Sequence, residues 1–262
     1  MSFKISKIFA ILLIFVSFLF DMDNKFNKVN ANIKNSPANK YDLDLERLVC
    51  GKQRPFHEHT ADKLLQNNKE FTKLHNNCSG KHLAMLLFSK ILNEDNKIYY
   101  TFKSKTQSIV KDFFQFIFTD DDIGFGIDGC GLPAIHIRTD SFLKAVNQIK
   151  TTEYSNNWSD MFNSYHTNPL LIGGENRTDT NIILNSSTTV LAKSGAEGVL
   201  FVTNNKESYL FKCIDGSKRG VDLAATKYLN EIGVINEKPF QYVSNLYSLN
   251  TQNTKAVTIT VS

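Results

Sequence analysis

Apolar side chains recur at helical spacing through the first part of the chain and alternate in short runs towards its end. Residues 60–74 are predicted as a helix with Leu64, Leu65 and Phe71 on one face, and Asn76-Asn77 breaks it. The strongly apolar stretch 81–92 is long enough for a buried helix. Another helix is expected over 103–118, where Ile109, Val110, Phe113, Phe114 and Ile117 fall near a 3.6-residue period. The glycine- and aspartate-rich stretch 120–131 reads as a loop. Asp140 can cap a helix running to about Lys150. After Trp158 the chain is expected to turn through 166–174, where Pro169, Gly173 and Gly174 supply breaks, before a short connecting helix at 176–185. Strands are predicted at 190–193, 199–203 and 209–214, with Asn204-Asn205 as turn chemistry between the last two. A helix at 220–232 and a final strand at 256–261 follow. Helices early and antiparallel strands late indicate an α+β fold.

The start of the chain has a different pattern. Lys4 and Lys7 precede an apolar run at 8–20 broken only by Ser17. This run is short for a membrane span and suits the apolar segment of an export signal, or else a buried element. Residues 21–39 are polar, rich in Asn and Lys, and read as a linker. The chain therefore divides into an apolar segment and linker at 1–40 and a globular domain at 41–262.

Composition adds limits. With 42% hydrophobic and 21% charged residues the chain can bury a sizeable core. The net charge of +4, from 30 basic and 26 acidic residues, is spread along the chain and no nucleic-acid motif accompanies it. A nucleic-acid partner is not expected. Four cysteines at 50, 78, 130 and 213 are too widely spaced for a disulfide-dense small domain. Cys50 and Cys213 read as small packing residues.

Three segments carry candidate chemistry. In LHNNCSGKH, Cys78 and Lys81 lie three apart at the expected first turn of a helix and so share one face. A helix N-terminus favours a thiolate, which points to metal binding or nucleophilicity at Cys78. The same spacing also fits a packed cysteine and a solvated lysine. Lysine is not among zinc's usual ligands, and deprotonating a free one at neutral pH costs about 4–5 kcal/mol. In GIDGCGLPAIHIRT, Cys130 lies between Gly129 and Gly131, which let the loop approach another site closely, and Asp128 could orient a ligand or hold a substrate amine. In LAKSGAEGV, Lys193 stands at a strand end, where an apolar wall could free it to act as a base.

Taken in order, LHNNCSGKH, GIDGCGLPAIHIRT, ENRTDTNIIL, KSGAEGV and DGSKRG resemble the asparaginase II family, built on a serine β-lactamase-like fold. The resemblance runs from about Tyr41 to the end of the chain. It implies a β-lactamase/glutaminase-like antiparallel sheet flanked by helices. It also implies a zinc ion held by Cys78, Lys81 and Cys130, with His82 and Asp128 beside substrate or supporting the metal. The implied reaction is hydrolysis of the side-chain amide of L-asparagine to aspartate and ammonia, with Lys193 as the late catalytic lysine. A cytoplasmic location is implied too, unless the run at 8–20 is a working export signal or membrane anchor.

The resemblance places a Ser-x-x-Lys nucleophile pair upstream of Tyr41, and residues 1–40 carry no such motif. Ser108-x-x-Lys111 and Ser141-x-x-Lys144 have the spacing, but both fall within expected helices downstream of that position. Two readings follow: an asparaginase, impaired in activity, or a truncated, catalytically dead remnant that binds zinc or asparagine. Without the N-terminal strands of such a fold, the strands at 191–214 are expected to show an open edge on which a second copy could pair as a homodimer.

Overall fold

The computed structural model describes residues 42–118, 123–236 and 245–260. The apolar run at 8–20 and the polar stretch after it lie outside the described residues. No helix among the described residues is long and apolar enough to cross a membrane.

The chain opens into helices α1 (Glu58–Gln66), α2 (Ser79–Ile91) and α3 (Lys105–Ile117). A hairpin of β1 (Gly124–Ile127) and β2 (Pro133–His136) follows, then α4 (Thr139–Ile149), α5 (Ser155–Thr167), the single turn α6 (Pro169–Ile172) and α7 (Thr178–Asn185). A three-stranded antiparallel sheet is built from β3 (Leu191–Gly195), β4 (Val199–Thr203) and β5 (Ser208–Lys212) in that order. Helix α8 (Lys218–Glu231) and a separate hairpin, β6 (Asn245–Leu249) with β7 (Lys255–Thr260), complete the described chain. The architecture is α+β.

The sheet divides the core in two. Leu191 and Phe201 point into the larger cluster with Leu86, Phe88 and Trp158, and Phe142 of α4 meets Phe201 edge-on at 5.2 Å. Ala192, Leu200 and Val202 point the other way, into a cluster with Ile182 of α7 and Val221, Ala225 and Leu229 of α8. The period-2 alternation of β3 and β4 is thus apolar on both faces, as a covered sheet requires. Fully burying side chains of this size contributes roughly 1.5–3 kcal/mol each.

Several expectations need correcting. Helix α1 stops at Gln66 because Asn68 adopts a left-handed conformation (φ 51°), so that Lys69 N–H bonds back to the Leu64 carbonyl. Leu74 belongs instead to a separate 3-10 turn, Lys73–His75. Helix α5 was not expected beyond Trp158, yet Trp158, Met161, Phe162 and Tyr165 are all buried at helical spacing. Polar residues between them masked the period. The supposed loop 120–131 contains β1, with Phe125 paired to Ile135, and the last strand has a partner in β6 that went unpredicted.

The expected open edge is only partly open. On the outer side of β3, the Ser194 N–H donates to Asp179 Oδ2 (2.9 Å) and the Ser194 carbonyl accepts from Lys193 Nζ (2.8 Å). The Val190 carbonyl accepts from His166 Nδ1 (3.3 Å). Side chains therefore take the place of a neighbouring strand there. On its outer side β5 has no strand partner among the described residues.

Candidate active site

The N-terminus of α2 is organised by Asn76. Its Oδ1 accepts from Cys78 N–H (2.8 Å), and its Nδ2 donates to the Cys50 and Gly51 carbonyls (2.5 and 3.3 Å). This side-chain turn sets Cys78 as the N-cap residue, with Ser79 starting the helix. Lys81 then follows one turn on.

Across from it stands the hairpin loop between β1 and β2. Asp128 Oδ1 accepts from the backbone N–H groups of Cys130 (2.8 Å) and Leu132 (3.2 Å), while Asp128 N–H closes the loop onto the Leu132 carbonyl (2.9 Å). Gly131 takes φ +88°, which only glycine adopts readily. A Cβ added at Gly129 or Gly131 would meet nothing within 4 Å. Gly131 therefore serves the turn, and neither glycine is required by a close approach, contrary to the sequence expectation.

These two segments bring the expected residues together. Lys81 Nζ lies 2.5 Å from Asp128 Oδ2, with the lysine side chain buried. The thiols of Cys78 and Cys130 lie close enough for each to act on the protonation of the other. Its nearness to Cys130, reinforced by burial, pushes the Cys78 thiol far up. Cys130 is pushed well below the usual thiol range, first by its nearness to Cys78, against the pull of burial, then by His82 and Lys81. These shifts favour the charged form at Cys130, whereas the helix N-terminus alone pointed to Cys78. Burial pulls the Lys81 amine down, but the two sulfurs and Asp128 outweigh it and hold it above its ordinary value. Asp128 resists burial likewise, held low by its contacts with Cys130 and Lys81.

His82 is fully buried and not open to solvent. Its Nδ1 lies 2.7 Å from the Tyr99 hydroxyl. Cys50 sits close enough to Cys130 and Lys81 to feel both, and burial pushes its thiol up to about 11. No group of three His, Cys, Asp or Glu side chains able to hold a metal ion is found among the described residues. The arrangement seen is two sulfurs with a lysine amine.

Over residues 30–261 the chain matches the family described as L-asparaginase II. The chain belongs to the L-asparaginase II family. No individual curated protein matches it.

The remaining asparaginase-like residue, Lys193, forms a second buried group. Its amine lies 3.2 Å from Asp179 Oδ2, and neither side chain has any exposed surface. Burial pulls the Asp179 carboxyl up, but Lys193, the Ser194 N–H and Arg177 outweigh it and hold the group below its usual range. Gly173 makes room for this carboxylate: a Cβ there would stand 2.6 Å from Asp179 Oδ1. Adjacent strand residues point to opposite faces, so the Ser194 hydroxyl cannot pair with the Lys193 amine. That hydroxyl is buried with no hydrogen-bond partner among the described residues.

In both Ser-x-x-Lys matches the lysine has a contact other than its serine. Lys111 lies over the Phe125 ring, 5.3 Å from its centroid, and Lys144 reaches towards Asp140 at 3.8 Å. Sequence reasoning missed Tyr99, Asn76 and Asp179 as site residues. Asp179 stood in the ENRTDTNIIL block, and Asn76 inside the LHNNCSGKH block, two residues before Cys78; Tyr99 offered no local signal.

Proposed function

We propose that the chain is an amidohydrolase acting on L-asparagine, releasing aspartate and ammonia, with a zinc ion held by Cys78, Lys81 and Cys130. One observation carries the metal reading. The buried Lys81 amine is bracketed by two sulfurs and a carboxylate, which is the surrounding a bound cation needs. Two thiolates and an amine suit a thiolate-preferring ion such as zinc, and leave a coordination position open. When bound, zinc would polarise the amide carbonyl of a substrate.

The chain's own residues have separate tasks in this reading. Lys81 would hold the ion as a neutral amine, its proton released to solvent on metal binding, and Asp128 would thereby be freed from its ion pair. Asp128 then faces the site as a carboxylate able to hold the α-ammonium of an amino-acid substrate. The hairpin loop fixes it there through the Cys130 and Leu132 N–H groups. Lys193 and Asp179 hold the outer edge of β3 in place. In a β-lactamase-like arrangement this strand would border the substrate.

A second reading, binding without turnover, is favoured by the engagement of Lys193. Its amine is bonded to Asp179 and the Ser194 carbonyl, and losing a proton beside a carboxylate is disfavoured. Ammonia release from asparagine by the purified protein, measured beside Cys78→Ala, tests the first reading. Turnover abolished by the substitution supports it. Calorimetric asparagine binding with no ammonia above background would establish the second reading instead.

A further inference from the structure

Tyr99 lies in the loop between α2 and α3, seventeen residues from His82 in sequence, and both are fully buried. Their rings meet edge-on at 90° with centroids 5.9 Å apart, which fixes the imidazole plane. The Tyr99 oxygen accepts from the Val49 backbone N–H (3.3 Å) and lies 2.7 Å from His82 Nδ1. A phenol has one proton to give and two lone pairs to receive. Nδ1 of His82 is the acceptor in reach of that proton among the described residues. If Nδ1 carried a proton instead, the phenolic hydrogen would be buried with nothing to receive it. Burial pushes the Tyr99 phenol up, so it keeps the proton it donates.

We infer that Tyr99 is a positioning residue that fixes His82 as the tautomer protonated on Nε2, leaving an N–H donor on the side of the ring away from Tyr99. Nε2 is buried and has no hydrogen-bond partner among the described residues; the nearby Cys130 sulfur, whose charged form His82 favours, is the acceptor such a donor would serve. In this arrangement His82 is neither a metal ligand nor a group presented to substrate. A ligand's charge and orientation are commonly set by such outer partners. The tautomer itself does not depend on the metal reading; only the effect on metal affinity rests on it.

Long-range 1H–15N correlation spectra of the full chain, with 15N-labelled histidine, test the inference directly. His82→Gln identifies the resonances by their loss. The expected pattern for His82 is a protonated Nε2 and an unprotonated Nδ1, which Tyr99→Phe converts to a mixture of tautomers. A protonated Nδ1 in the unsubstituted protein, or no change in Tyr99→Phe, would overturn the inference. Zinc affinity by chelator competition is the second readout. Tyr99→Phe and His82→Leu should each weaken binding about tenfold to a hundredfold, while His82→Gln, which retains an N–H donor, should recover part of the loss. Equal losses for Gln and Leu would overturn the donor role even if Tyr99→Phe does not fold. If the unsubstituted protein binds no zinc, the metal reading fails and the tautomer pattern still decides the role of Tyr99.

Discussion

The amine of Lys81 stands 2.5 Å from the carboxylate of Asp128, in a position the sulfurs of Cys78 and Cys130 also bear upon. One positive charge thus sits among three groups able to be negative. A divalent ion held there by both sulfurs and the amine must displace the lysine proton and any thiol proton. Zinc affinity is therefore expected to fall as the solution is made more acid, by about tenfold per pH unit for each proton released. Chelator competition between pH 6 and 8 measures this slope. A flat profile would mean that these groups are not the ligands.

The buried pair of Lys193 and Asp179 gives a stability prediction. Removing one partner of such a pair leaves an uncompensated charge and typically costs about 3–5 kcal/mol. Asp179→Asn should lose that much in urea unfolding, whereas the double change Asp179→Leu with Lys193→Met should lose distinctly less than the sum of its single changes. Strict additivity would show that the two groups do not act as a pair.

The same carboxylate predicts a pH dependence. Its folded value lies below its ordinary one, so its contribution is complete above about pH 4, the unfolded range. It is then lost as the pH falls through the folded value. The unsubstituted protein should lose stability more steeply than Asp179→Asn below pH 4, as followed by urea midpoints. Parallel curves would contradict the assignment.

The hairpin loop separates its two glycines. Gly131→Ala forces a side chain onto φ +88° and should cost about 1–2 kcal/mol. Gly129→Ala meets open space at an ordinary φ and should fall within about 0.5 kcal/mol of the parent protein. Thermal or urea unfolding distinguishes them, and an equal cost would refute this account of the loop.

Much of this site could be read from residue order, because its main parts are local. Cys78 and Lys81 share one helical turn, and Asp128 and Cys130 share one tight loop, so spacing alone placed each pair. What spacing could not show is which sulfur carries the charge. That depends on the contact between the two segments and on His82, which the helix-terminus argument does not include. Tyr99 was invisible for the same reason: a tyrosine in an Ile-Tyr-Tyr run becomes meaningful only when folding lays its hydroxyl against His82. In the fold, the apolar alternation of β3 and β4 was legible because both faces are covered. The period of α5 was hidden among its Asn and Ser residues, and β1 was hidden by glycines that its pairing with β2 tolerates.

The central claim is that two sulfurs and one amine meet on a single ion. Cobalt substitution reads it most directly, since each coordinated thiolate adds sulfur-to-cobalt absorption in the near ultraviolet. The account predicts one cobalt per chain with an absorption of two thiolates, halved in both Cys78→Ser and Cys130→Ser and unchanged in Cys213→Ser. A spectrum without thiolate absorption, or one indifferent to Cys78 and Cys130, would contradict it.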